Sequence, residues 1–176
     1  MLRAELSKPG YKPSLIVVGA NTDPYQPIER KLQLTRAVLE VLAEYKAPVG
    51  IITKNALVTR DLDILCTMAG NGLIQVSMSV TTLDSTLARR MDPRASSPAS
   101  RMQAIEALAQ AGIPVAVFAS PMIPVINDVE LEKILQASAN AGARYASYVL
   151  LRLPLVAPSR PQAVSVRLTK ILSTRP

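Results

Sequence analysis

The sequence contains no histidine, no tryptophan, one phenylalanine and one cysteine. Without histidine there is no Ser-His-Asp arrangement, no imidazole metal ligand and no side chain that ordinarily titrates near neutral pH. With Cys66 alone, no internal disulfide can form, which points to a reducing compartment, and the chain cannot hold a metal cluster by itself. The shortage of aromatics leaves the core to Val, Ile, Leu, Ala and Met. It also argues against a nucleic-acid groove, in which aromatic side chains lie among the basic ones to stack on bases. The longest apolar stretch, Ile113–Ile126, is too short and too rich in proline to span a bilayer. Residues 1–12 are polar and mixed, unlike a signal peptide. The expectation is a soluble cytoplasmic protein with no membrane partner.

What is present is a globular composition. The chain has 176 residues, of which 49% are hydrophobic, enough for one domain with a real core. The net charge of +7 is uneven, because Arg160, Arg167, Lys170 and Arg175 fall in residues 155–176, where there is no acid. Taking those four from +7 leaves +3 on the rest, an ordinary solvated surface.

Five β-rich runs stand out: Ser14–Gly19, Val49–Thr53, Ile74–Val80, Val115–Ser120 and Tyr145–Leu151. Four are nearly continuous apolar runs, as in strands covered on both faces. Ile74–Val80 alternates, which places Ser77 and Ser79 on one face. Helical patterns lie between the strands: Ile28–Tyr45, Thr59–Ala69 with Asp61 and Asp63 in its first turn, Pro98–Ala111 ending at Gly112, and Asp128–Ala141 with Asn127 as its N-cap. Alternating strands and helices with short links imply parallel pairing. Gly19-Ala-Asn-Thr-Asp-Pro24 has too few glycines for a dinucleotide turn. An eight-stranded barrel needs about 250 residues. The fold class is α/β with a parallel sheet, either doubly wound or a partial (βα) barrel of about five units.

In such a fold the site lies at the carboxyl ends of the strands. Those ends carry Asn21, Thr22 and Asp23, then Thr53-Lys54-Asn55, then Ser79–Asp84, then Ser120–Asp128, then Leu151 and Arg152. Hydroxyls, amides, a lysine and an arginine on one rim suit a polar small molecule. Each has a plainer role open to it. Asn21, Thr22 and Asp23 are also turn and cap formers. Ser77 and Ser79 are small enough to fill a barrel centre, Arg94 is an ordinary loop charge, and Cys66 between Leu65 and Met68 reads as core. Lys54 is harder to dismiss, since it directly follows a buried strand. Asp23, Glu29 and Asp84 are the candidate acids, and none is paired with a nucleophile.

The segments Gly-Ala-Asn-Thr-Asp-Pro-Tyr-Gln-Pro-Ile-Glu (19–29), Thr-Lys-Asn-Ala-Leu-Val-Thr-Arg-Asp-Leu-Asp (53–63), Ser-Val-Thr-Thr-Leu-Asp (79–84), Asp-Pro-Arg-Ala (92–95), Ala-Gly-Ile-Pro-Val (111–115), Pro-Met-Ile-Pro-Val-Ile-Asn-Asp (121–128) and Tyr-Val-Leu-Leu-Arg-Leu-Pro (148–154) resemble the radical SAM proteins of the spore-photoproduct-lyase-like group. The resemblance covers residues 1–154 and implies a radical SAM barrel. In the family, three cysteines of a CxxxCxxC loop hold a [4Fe-4S] cluster, and S-adenosylmethionine (SAM) is cleaved to a 5′-deoxyadenosyl radical. Carried over by position, Asn21, Thr22 and Asp23 correspond to contacts of the SAM amino group, and Lys54 to a lysine near its carboxylate or ribose. Ser79 and Thr81 correspond to ribose contacts, and Pro121, Ile123, Leu151 and Arg152 to the segments beside the adenine.

The resemblance also sets expectations about what departs from it. The family's cluster loop and first barrel strand lie upstream of the residues equivalent to Met1, so the chain reads as a truncated, SAM-binding fragment of a radical lyase, inactive alone. Its other readings are a cluster-free SAM or nucleotide module and the product of an interrupted gene. Residues 155–176 are expected to be a divergent, poorly packed basic tail. A missing first strand implies an open edge at Ser14–Gly19 and self-association through it. A nucleic-acid partner is implied by family relationship alone.

Overall fold

The computed structural model describes residues 1–151 and 164–167. The apolar runs form strands β1 (Ile16–Val18), β2 (Val49–Thr53), β3 (Ile74–Ser79), β4 (Val115–Met122) and β5 (Tyr145–Leu150), joined by β6 (Val164–Arg167). They lie side by side in chain order. The first four pairings are parallel, with Ile51 opposite Val18 and Val76, and Val76 opposite Val115. β6 pairs antiparallel with β5. The sheet does not close, so the partial parallel barrel is as expected.

Register explains the two faces. Val49, Ile51, Val76, Met78, Val115 and Val117 share one face and are buried, forming the core with Leu39, Leu42, Leu65, Ile105, Leu108 and Ile134 from the helices. The opposite face carries Ile52, Gln75, Ser77, Ala116 and Phe118, and borders a cleft at each end of the strands. The alternation in β3 thus separates Ile74, Val76 and Met78 from the serines.

The helices are α1 (Leu2–Leu6), α2 (Glu29–Leu32), α3 (Leu34–Glu44), α4 (Leu62–Gly70), α5 (Ser85–Met91), α6 (Pro98–Gln110) and α7 (Leu131–Asn140). The helix expected over Ile28–Tyr45 is two. The break falls at Gln33 (φ 50°), where the Glu29 carboxylate accepts the Leu34 and Thr35 N–H groups at 3.0 and 2.9 Å and starts α3 afresh. The helix expected from Thr59 begins as a 3-10 turn over Ala56–Asp61, capped by Asn55, and continues as α4. α5 lies where no helix was expected; Asp84 caps it by accepting from Thr86 and Leu87 N–H. α1 is likewise additional, tied to α3 by Arg3–Glu44 and Ser7–Tyr45.

β1 is the open edge: among the described residues it pairs with β2 only. Of residues 155–176, Val164–Arg167 form β6, and the rest lie outside the described residues, as does Arg152.

Candidate functional site

Gly19 directly follows β1 with φ at 102°, and a Cβ there would sit 2.0 Å from the Ile52 carbonyl oxygen. The close approach swings the following loop over the end of β2. Asp23 then locks it: Oδ1 accepts from the Tyr25 N–H and the Thr53 hydroxyl, both at 2.8 Å, and Oδ2 accepts from the Lys54 N–H at 2.7 Å. Tyr25, fully buried, donates its hydroxyl to Asp61 Oδ2 at 3.0 Å. Burial and the neighbouring Asp61 charge push the phenol well above its ordinary range, so it remains a donor. Asp61, also fully buried, is held by Arg60 at 2.8 Å and Arg36 at 3.2 Å, and Arg60 reaches on to Glu29.

Arg36 extends the network to Asp63 at 2.6 Å, and its hydrogen bond holds that carboxyl at about 2, below its usual 3.8. A depressed folded-state value stabilises the fold above pH 3.8, and this contribution is lost as pH falls through about 2. Thermal melts of Asp63→Asn and the parent chain should differ at pH 5 and converge toward pH 2; a gap that persists unchanged at pH 2 rules out this linkage.

A cavity of about 620 Å³ opens at the carboxyl ends of β1 to β4, within the range of small-molecule sites. Asn21, Thr22, Asp23, Lys54 and Ser79 line it together, joined by Asp92, Arg94 and Ser120. Lys54 Nζ meets both Asp92 oxygens at 2.9 Å. Ser79 is buried, and its carbonyl accepts from Arg101 at 2.9 Å. Thr81 is buried but does not line the cavity; nor do Pro121, Ile123 and the exposed Leu151. Ser77 lies in the cleft at the other end of the strands.

Sequence reasoning missed the ties that fix this rim. Asn127 is fully buried, and instead of capping a helix it bridges two loops. Its Nδ2 donates to the Thr81 and Pro121 carbonyls at 2.7 and 3.1 Å, and its Oδ1 accepts from the Ile123 N–H at 2.6 Å. Glu130 accepts from the Thr82 hydroxyl at 2.6 Å and the Leu83 N–H at 2.9 Å. Arg101 was passed over as one residue of the helix expected over Pro98–Ala111. The candidate acids Asp23, Glu29 and Asp84 all serve as acceptors for backbone N–H groups.

Among the described residues no group of three or more His, Cys, Asp or Glu side chains is placed to hold a metal ion. Cys66 is half-buried on α4, with Sγ 3.6 Å from the Ala111 carbonyl oxygen. The residues present do not fit an iron–sulfur cluster. No helix among them is long and apolar enough to cross a membrane.

An open parallel βα sheet with a polar cavity at its carboxyl rim is the architecture of a partial (βα) barrel. Residues 2–137 match the radical SAM superfamily, and the chain belongs to that family. An uncharacterized protein of Mycobacterium tuberculosis (strain H37Rv) is 32% identical over 145 residues, covering 81% of this chain and 43% of the relative. One from Acidianus two-tailed virus is 31% identical over 137 residues, covering 75% and 44%. The chain thus spans less than half the length of these relatives. Among solved structures, a spore photoproduct lyase variant matches with TM-score 0.62 at 16% identity, covering 80% of this chain and 40% of that one. Another, with bound AdoMet and dinucleoside spore photoproduct, matches with TM-score 0.61 at 17% identity over the same shares. Archaeal TYW1 matches with TM-score 0.54 at 10% identity, covering 78% and 43%. These likenesses establish the fold.

Proposed function

We propose that the rim cavity binds S-adenosylmethionine and that the chain is the SAM-binding part of a radical SAM protein similar to spore photoproduct lyase. The observation that supports this reading is the Lys54–Asp92 pair on the cavity wall, a cation and a carboxylate 2.9 Å apart. A zwitterionic amino-acid end exchanges with such a pair, its carboxylate turning to Lys54 and its ammonium to the Asp92 side, near Asn21 and Thr22. Ser79 faces the ribose, and Thr81 forms the wall behind it. By family resemblance Pro121, Ile123, Leu151 and Arg152 are assigned to the adenine side; the first three lie outside the cavity lining. When bound, S-adenosylmethionine offers a sulfonium-activated adenosyl group; the residues of this chain bind and orient it.

The family's cluster takes three thiolates, and these 176 residues contain one cysteine. We therefore assign the chain no radical activity by itself. The same single cysteine favours a second reading, a cluster-free SAM-binding module. Iron and sulfide analysis after anaerobic reconstitution decides whether these residues hold a cluster: four irons per chain would overturn the assignment. A cytoplasmic location, a nucleic-acid substrate like the lyase's, and self-association through β1 are proposed on the family relationship and the open edge.

Calorimetry with SAM tests the reading directly. Micromolar binding is expected, with Lys54→Met weakening it at least tenfold, about 1.4 kcal/mol, through loss of a charge-assisted contact. An absence of binding at millimolar SAM would remove the proposal.

A further inference from the structure

Arg101 concentrates three unfavourable features in one side chain. It is 1% exposed. It lies in the first turn of α6, where the helix dipole disfavours a cation. Among the described residues it has no ion-pair partner, although a buried charge ordinarily has one. Its guanidinium instead grips two backbone carbonyls, Ser96 through Nε at 2.8 Å and Ser79 through Nη1 at 2.9 Å. Ser79 is a cavity-lining residue, and Ser96 closes the loop that carries Asp92 and Arg94 into the same cavity.

The carboxylates acting on Arg101 at longer range are Asp92 and Asp23. Both line the cavity and both are engaged, Asp92 by Lys54 and Asp23 by Thr53, Tyr25 and the Lys54 N–H. Within the lining Lys54 and Arg94 balance the two carboxylates, so the buried Arg101 beneath it leaves one positive charge in excess. A neutral residue at 101 could hold the same carbonyls without the cost of burying a cation.

We infer that Arg101 is a positioning residue for the anionic end of the ligand. It fixes the Ser79 strand end against the Asp92–Ser96 loop, and its uncompensated charge beneath the cavity favours ligands that bring a carboxylate. The inference rests on the SAM reading and deepens it, by making carboxylate recognition depend on a residue outside the cavity lining.

The test compares SAM with decarboxylated SAM, which keeps the sulfonium and the amine, by calorimetry on the full chain and on Arg101→Gln and Arg101→Lys. Gln keeps a donor for the carbonyls and drops the charge; Lys keeps the charge. For Arg101→Gln the preference for SAM over the decarboxylated ligand should fall about tenfold, and less so at 1 M salt, where charge effects are screened. Arg101→Lys should retain that preference within about threefold, even where both ligands bind more weakly. Equal weakening of both ligands by Gln, or loss of the preference in Lys, assigns Arg101 a purely structural role and overturns the inference. If Gln does not fold, the Lys variant alone decides, by the same criterion. If the parent chain binds neither ligand, the SAM reading itself falls and takes the inference with it. If the parent binds both ligands equally, SAM binding stands and the inference fails.

Discussion

Asp61→Ala is expected to lower folding stability by about 3–5 kcal/mol, the cost of breaking a buried ion pair on one side. Asp61 is completely buried and receives Arg60, Arg36 and the Tyr25 hydroxyl. Removing it takes a shared carboxylate from Arg36, left with Asp63 and Glu40, and from Arg60, left with Glu29, and strands a buried phenol. With a typical domain stability of about 5–15 kcal/mol, such a loss brings the chain near its unfolding threshold. Asp61→Asn, which keeps the shape and one acceptor, should lose less. Urea denaturation followed by circular dichroism measures both. A loss below about 1 kcal/mol for the alanine variant would show that the arginines find other partners and that Asp61 is no hub. Tyr25 and Glu29 join the rim loop to this network, so ligand affinity should fall with stability.

Gly19→Ala carries the second large effect. The added methyl would sit 2.0 Å from the Ile52 carbonyl oxygen and 3.0 Å from Pro24 Cδ. Neither obstacle is the far end of a flexible chain, and φ at 102° is itself unfavourable for alanine. The backbone must move, at a cost of about 3 kcal/mol. The movement lifts the loop off β2 and breaks the Asp23 contacts to Thr53 and Lys54. Amide exchange should therefore quicken at Tyr25 and Lys54 while the amides of β3 and β4 stay protected. Unchanged protection at Tyr25 and Lys54 would mean that the loop absorbs the methyl elsewhere.

The strands were legible because each is short, apolar and bounded by turn residues. Val49–Thr53 has the bounds read from sequence, and the other four differ by at most two residues at either end. The break at Gln33 was not legible, because it depends on the Glu29 carboxylate reaching forward to Leu34 and Thr35, a local competition that periodicity does not register. α5 was missed because Ser85–Met91 has no apolar stripe long enough to show a period. Five of the ten candidate site residues, Asn21, Thr22, Asp23, Lys54 and Ser79, share the cavity, since in a parallel sheet strand ends converge whatever the helices do. Arg101 and Asn127 were hidden for the opposite reason. They act across loops through backbone carbonyls, and nothing in the type of the accepting residue marks a carbonyl as a partner.

The rim ties also bear on how the molecule is assembled. Asp23 to Lys54, Lys54 to Asp92 and Thr82 to Glu130 span 31, 38 and 48 residues, each joining one βα unit to the next. Among the described residues no rim tie waits for a first strand to meet a last one. The chain-closure entropy of each step is therefore that of a single unit, and it grows only slowly with length. Each wall of the cavity can mature as its own pair of units docks, in the order in which a ribosome delivers them.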